Sequence, residues 1–215
     1  MSFDDGPQPG TMNCYHVCEQ LGIKATFFMV GLHAEEKPRK KWIDSIRRQP
    51  LFLIANHSYT HAFKNHYQSF YGQPNLALAD FMKAHDSLHV PLKIARLPGN
   101  DAWALNKRFK GTKQVKPLLY LLDSAVQYMV LGWDVEWKFK AGDKPIQSAQ
   151  ALLLETQKAM TGKENFVKKH TVILAHDRMF RRAEDRDSLY TYLAALKAMP
   201  NVVFETLDNY PGVKK

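Results

Sequence analysis

Ser2-Phe3-Asp4-Asp5-Gly6-Pro7 opens the chain and reads as a strand end that delivers two adjacent carboxylates into a turn. A helical pattern follows at 10–21, and the same alternation recurs to the C-terminus. Short apolar runs rich in β-branched and aromatic residues stand at 2–3, 25–30, 51–55, 92–96, 126–132, 171–175 and 202–205. Helical patterns at 10–21, 35–48, 76–89, 115–124, 146–160 and 185–199 separate them. Such alternation predicts an α/β fold with a mostly parallel sheet, open or closed into a barrel. In those folds function collects at the C-terminal ends of strands. Asp4-Asp5, His57, Arg96, the segment Trp133-Asp134-Val135-Glu136-Trp137 and His176 all lie at such ends.

A length of 215 residues suits one domain spanning 1–215, and no repeat, low-complexity stretch or Pro/Gly-rich linker divides it. The hydrophobic share is 45% and the charged share 24%, both ordinary for a soluble globular protein. Lys and Arg number 30 against 21 Asp and Glu, a net charge of +9 that permits an anionic partner but reads first as solubilising surface charge. The basic residues are scattered, as at Lys37, Arg39, Lys40 and Lys41, and match no nucleic-acid-binding module. No nucleic-acid partner is therefore expected. Cys14 and Cys18, four apart on a predicted helix, are poorly placed for a disulfide and read as buried small hydrophobes. No run reaches transmembrane length and no signal peptide is read, so no integral membrane segment is expected. Only three residues precede Asp4. The first strand is thus expected to be truncated, with residues missing upstream and the Asp4-Asp5 pair prone to fray.

Asn56-His57-Ser58-Tyr59-Thr60-His61 follows the run 51–55. Two imidazoles four apart on one helical turn can face a single ion. With one carboxylate of Asp4-Asp5 they make a three-ligand site open to water, and the second carboxylate is left over as a general base. Spacing alone is a weak signal, since nine histidines in 215 residues give about 0.4 such pairs by chance. His85 and His89 repeat the spacing inside a helical pattern and read as helix surface, whereas His57 and His61 stand at a strand end. The plainer reading of Asp4-Asp5 is a cap on a helix begun by Pro7. His176 closes the run 171–175. Arg96 closes 92–96 and leads into a Pro98-Gly99 turn. Trp133 and Trp137 offer rings suited either to a sugar or to the core. His16, His33, His66 and His170 carry no partner pattern and read as structural.

Taken in order, these residues resemble the five motifs of the NodB-type polysaccharide deacetylases, carbohydrate esterase family four. Residues 2–7 resemble the first motif, 56–61 the second, Arg96-Leu97-Pro98-Gly99 the third, 133–137 the fourth and Ile173-Leu174-Ala175-His176 the fifth. The resemblance implies an irregular (β/α)7 barrel, in keeping with seven predicted strands. It implies that Asp5, His57 and His61 hold one divalent metal, zinc first, with cobalt, nickel or manganese as alternatives. Asp4 would be the general base, Arg96 its orienting partner and His176 the general acid. The backbone N–H of Gly99 would bind the oxyanion, with Pro98, Trp133 and Trp137 as further substrate-contact candidates. Two motifs depart from the family pattern. The third lacks the aromatic residue usual at Gly99. The fourth, usually Asp-x-x-Asp-Trp, has Glu136 at the first Asp and Phe139 and Lys140 at the last two positions. Asp134 or Glu136 is left to pair with His176. The implied reaction removes N-acetyl groups from the amino sugars of a polysaccharide, in the periplasm, at the cell surface or after secretion. The altered motifs keep open a metal-dependent amidohydrolase of another amide, such as a cyclic imide. A non-catalytic glycan-binding relative is the alternative from a different class.

Overall fold

The structure is a computed structural model describing residues 1–214. Its strands are β1 (Ser2–Gly6), β2 (Ala25–Met29), β3 (Phe52–Asn56), β4 (Ile94–Ala95), β5 (Trp103–Leu105), β6 (Arg108–Lys110), β7 (Met129–Val130), β8 (Val135–Glu136), β9 (Phe139–Lys140), β10 (Lys144–Pro145) and β11 (Ile173–His176). Nine form one sheet in the order β6-β5-β7-β4-β3-β2-β1-β11-β8, while β9 and β10 pair separately. The run from β7 to β8 is seven parallel strands, and the β5–β6 hairpin closes one edge antiparallel. The sheet curls into an irregular, barrel-like α/β fold of the expected type.

Seven parallel strands were expected, but one member differs. Residues 202–205 do not join the sheet. They form no strand, and together with Thr171, Val172 and Ile173 they line a cavity of ≈ 710 Å³. The two-residue strand β8, inside the fourth motif, takes the seventh place. The expected fraying of Asp4-Asp5 is also overturned. Strand β1 is five residues long, wholly buried, and hydrogen-bonded on one side to β2 and on the other to β11. A central strand has both edges satisfied and cannot loosen alone.

Helices at Thr11–Leu21, Lys37–Arg48, Pro74–Leu88, Lys116–Ser124, Ala149–Thr161 and Ala183–Lys197 lie where the periodicity put them. Pro38, Pro74 and Pro117 each stand in a first turn, where the missing N–H has no partner to lose. The core on one face of the sheet is aromatic: Phe3 stacks on Phe27 at 5.1 Å, and Phe27 meets Phe52 edge-on at 5.3 Å. Cys14 and Cys18 are free and buried within it, and burial pushes the Cys18 thiol up to about 12. The register then fixes the site. Asp4 lies opposite His176, Met29 opposite Asn56, and Asn56 opposite Ala95. The first, second, third and fifth motifs therefore surface at one end of adjacent strands.

Candidate active site

His57 leaves β3 with its imidazole 1% exposed. Its Nδ1–H donates to the Arg96 carbonyl at 3.0 Å, which leaves the Nε2 lone pair facing the site. The chain then turns through Ser58, at φ 65°, whose N–H donates to Asn56 Oδ1 at 2.9 Å. Asp80, on the helix Pro74–Leu88, clamps the next residues. Its carboxylate accepts the Tyr59 N–H at 2.8 Å, the Thr60 N–H at 3.1 Å and the Thr60 hydroxyl at 2.9 Å.

His61 does not share a right-handed helical turn with His57, as the spacing suggested. His61, Ala62, Phe63, Lys64 and Asn65 have φ of 51°, 55°, 53°, 58° and 71°, a left-handed turn. An L-residue pays about 1–2 kcal/mol for that conformation, so the turn needs anchors. Thr60 Oγ1 accepts the Phe63 N–H at 2.9 Å, the Thr60 carbonyl accepts the Lys64 N–H at 2.9 Å, and His66 Nδ1–H donates to the Phe63 carbonyl at 2.6 Å. The turn brings Asn65 Oδ1 to 2.6 Å from His61 Nδ1. His61 therefore donates through Nδ1 and presents Nε2 inward, as His57 does.

Both Nε2 atoms converge on Asp5 Oδ1, at 3.4 Å from His57 and 3.0 Å from His61. One ligand atom from each of the three residues lies within 4.8 Å of the others. Asp5 Oδ1 is buried with no hydrogen-bond donor, because each neutral imidazole spends its proton elsewhere. Three lone pairs facing one point repel unless a cation lies among them, and two nitrogens with one carboxylate oxygen suit a divalent transition metal. A proton taken up by an imidazole relieves the same repulsion that a cation would, and the electrostatics show that coupling. Burial alone would raise the Asp5 pKa, but the two imidazoles and the charge of His176 hold it well below the usual carboxylate range. Burial likewise would lower His61, and the Asp5 carboxylate raises it instead.

Asp4 lies beside that cluster, with Oδ2 at 3.7 Å from His57 Nε2. Arg96, fully buried, holds it. Its Nη1 donates to Asp4 Oδ1 and to Ser2 Oγ, both at 2.8 Å, its Nη2 to the Gly132 carbonyl at 2.8 Å and its Nε to the Leu131 carbonyl at 3.0 Å. The guanidinium also lies over Phe28 at 4.1 Å and near Trp133 at 5.8 Å. Gly99 sits at φ 61°, and its N–H donates no hydrogen bond among the described residues.

His176 departs from expectation. Neither Asp134 nor Glu136 pairs with it. Asp134 turns its carboxylate to the backbone N–H groups of Phe166 at 2.9 Å and Val172 at 2.7 Å. Glu136 offers only its carbonyl, to Gln147 at 2.9 Å. The ring of Phe139 packs on His176 at 4.8 Å instead, and His176 Nδ1 is buried without a partner. Trp137 is corrected as well. It is fully buried against Phe180 and Tyr192, and its Nε1–H donates to the Gln147 carbonyl at 2.8 Å, so it belongs to the core. Pro98 is tied down by the Tyr71 hydroxyl, which donates to its carbonyl at 2.5 Å. His85 is held by the Tyr128 hydroxyl at 2.8 Å, and His89 ends its helix, so that pair faces no common point.

Several residues that carried no sequence pattern line the site. His33 Nδ1 donates to the Asp5 carbonyl at 2.7 Å. Asp177, fully buried, accepts the Thr11 hydroxyl. Gly6 is required beneath it, because a Cβ there would lie 2.5 Å from Asp177 Oδ2. Arg178 reaches within 3.9 Å of Asp5 Oδ2 while bound to Asp143 at 2.8 Å. A cavity of ≈ 240 Å³ beside the triad is walled by Asp5, His33, His61, Lys64, Asn65 and Arg178. The position of Asp177 next to His176 at a strand end was the one sequence signal available for these.

Residues 1–81 match the family model for polysaccharide deacetylases. That match takes in the first and second motifs, Asp4-Asp5 and His57 to His61 included. The chain is 26% identical over 184 residues to a peptidoglycan-N-acetylglucosamine deacetylase of Bacillus cereus, an alignment that takes in 82% of this chain and 58% of that protein's length. Among solved structures it resembles a carbohydrate esterase family four enzyme of Streptococcus mutans, with a TM-score of 0.67 and 19% identity over 95% of this chain and 83% of that one. It also resembles the chitin deacetylase of Colletotrichum lindemuthianum, with a TM-score of 0.65 and 14% identity over 96% and 84%. At these identities the structural likeness establishes the fold. No helix among the described residues of this chain is long and apolar enough to cross a membrane.

Proposed function

We propose that this chain is a metal-dependent hydrolase that removes acetyl groups from the N-acetylamino sugars of a polysaccharide. The observation that carries the proposal is the meeting, at one end of adjacent strands, of an Asp-His-His ligand set and a separately anchored carboxylate. A pure binding module has no use for the second. Asp5, His57 and His61 would hold one divalent ion, zinc first, with cobalt, nickel or manganese as alternatives. When bound, such an ion acidifies water and polarises an amide carbonyl.

The chain's own groups supply the rest. Asp4 takes the proton of the attacking water, and the four hydrogen bonds of Arg96 keep its carboxylate from swinging onto the ligand cluster. The unpaired Gly99 N–H donates to the oxygen that gains charge. His176 gives a proton to the leaving nitrogen, and the products are acetate and a free amino sugar. Trp133, beside Arg96, stays a substrate-contact candidate. Residues 1–215 act as one catalytic domain in this proposal, on an N-acetylated wall or structural glycan outside the cytoplasm.

Acetate release from a panel of N-acetylated glycans, with and without added zinc or cobalt, tests it. Asp4→Asn is expected to keep its metal and lose about 10²–10⁴-fold in kcat. Metal-loaded protein that releases no acetate from any glycan overturns the proposal. Turnover of a cyclic imide in its place would establish the other amidohydrolase, and glycan binding without turnover the binding relative.

A further inference from the structure

Tyr67 stands between two ends of the reaction. Its ring lies edge-on to His61, with centroids 6.1 Å apart. On the other side it packs against the backbone of Gly99. A Cβ at Gly99 would fall 2.8 Å from Tyr67 Cε1 and 3.0 Å from Cζ, so the ring occupies the space a side chain there would take. Tyr67 therefore borders both the ligand cluster and the backbone of Gly99. The ring is also held in place. The Tyr67 hydroxyl donates at 3.1 Å to Asn65 Oδ1, the atom that fixes His61 Nδ1 at 2.6 Å. Tyr71, one helical turn on, is tied to Pro98. Tyr67 is nevertheless 37% exposed, whereas Trp137 is fully buried and Trp133 half-buried. Among the described residues it is the exposed aromatic ring bordering the triad.

We propose that Tyr67 is the aromatic platform of this site, and that its open face stacks on the apolar C–H face of the sugar whose acetyl group reacts. The inference rests on the deacetylase reading and names a specificity residue for it. A ring with only two side-chain torsions, clamped at its hydroxyl, stacks with little loss of conformational freedom. Asn65 is the positioning residue that joins the platform to His61. A sugar analogue that is not ring-shaped, with the same acetamido group, gains nothing from the ring.

The test uses the metal-loaded full chain and the tetramer of N-acetylglucosamine. Tyr67→Ala is expected to raise KM about tenfold with kcat changed by less than about threefold, and to leave metal content and Tm unchanged. Tyr67→Phe, which keeps the ring, should restore KM to within about twofold of wild type. Should Tyr67→Ala melt early, Tyr67→Leu keeps bulk against Gly99 and carries the same comparison. A KM for the ring-deleted variant within about twofold of wild type overturns the platform. So does an equal rise in Tyr67→Phe, which would mean that the hydroxyl clamp matters and the ring face does not. Wild-type protein that releases no acetate from the tetramer or any other N-acetylated glycan overturns the deacetylase reading itself. Normal wild-type turnover beside an unaffected Tyr67→Ala overturns the platform alone.

Discussion

Arg96→Met is the most informative single perturbation of this chain. Methionine keeps most of the aliphatic stem and removes the guanidinium that lies 4.1 Å from the Phe28 ring. Four acceptors lose their donor at once: Asp4 Oδ1, Ser2 Oγ and the carbonyls of Leu131 and Gly132. Asp4 is 2% exposed, so its charge is left buried without a counter-ion. Removing one partner of a buried pair costs about 3–5 kcal/mol, and each orphaned buried carbonyl adds about 1 kcal/mol or more. The expected loss of stability is therefore at least about 5 kcal/mol. In an Asp4→Asn background no charge is stranded, and the same substitution should cost less by about 2 kcal/mol, a coupling within the usual range for contacting residues. Urea unfolding of the four metal-free proteins at neutral pH, with equal m-values, measures both figures. A loss below about 1 kcal/mol, or an equal cost in both backgrounds, would refute the ion pair as the anchor of Asp4.

Three further outcomes are expected. His57→Ala should lose bound zinc and the rise in Tm that zinc gives the wild type, while His85→Ala, whose imidazole is held by Tyr128, should keep both; equal metal content after dialysis would reject the ligand set. Burial first, and then the charge of Asp5, pushes the Asp177 carboxyl well above its ordinary 3.8, against the opposing Thr11 hydroxyl. A raised folded-state pKa means the folded chain keeps a proton that the unfolded chain releases, so this contribution is full below pH 3.8 and is lost as pH rises through the folded value. Metal-free Asp177→Asn should accordingly lose stability less steeply from pH 3.8 upward, and an unchanged slope would contradict the buried neutral acid. Lys64→Gly should leave stability unchanged or raise it by up to about 1 kcal/mol, the reverse of the usual glycine penalty, because Lys64 sits exposed at φ 58°. A loss of about 1 kcal/mol would show that the turn is right-handed.

Local signals were enough for much of this protein. A period near 3.6 or 2 placed the six long helices and six of the seven parallel strands. Two carboxylates and two histidines at strand ends were legible as one site, because parallel strands all deliver their C-terminal ends to the same side. Tertiary structure decided the rest. Whether 202–205 or Val135–Glu136 became the seventh parallel strand depended on which segment could reach the edge of β11, and no local propensity encodes that. Spacing alone favoured an ordinary helical turn after His57. The left-handed turn is anchored by Thr60, which accepts the Phe63 N–H within it and is itself held by Asp80, twenty residues away. His176 lacks its expected carboxylate because Asp134 is spent on the backbone of Phe166 and Val172. Tyr67 and Asn65 carry no motif and matter only through what they touch. A sequence displays the period and chemistry of its residues, but a hydrogen-bond partner at long range is chosen by packing, where each donor and acceptor must be satisfied by whatever the fold brings near.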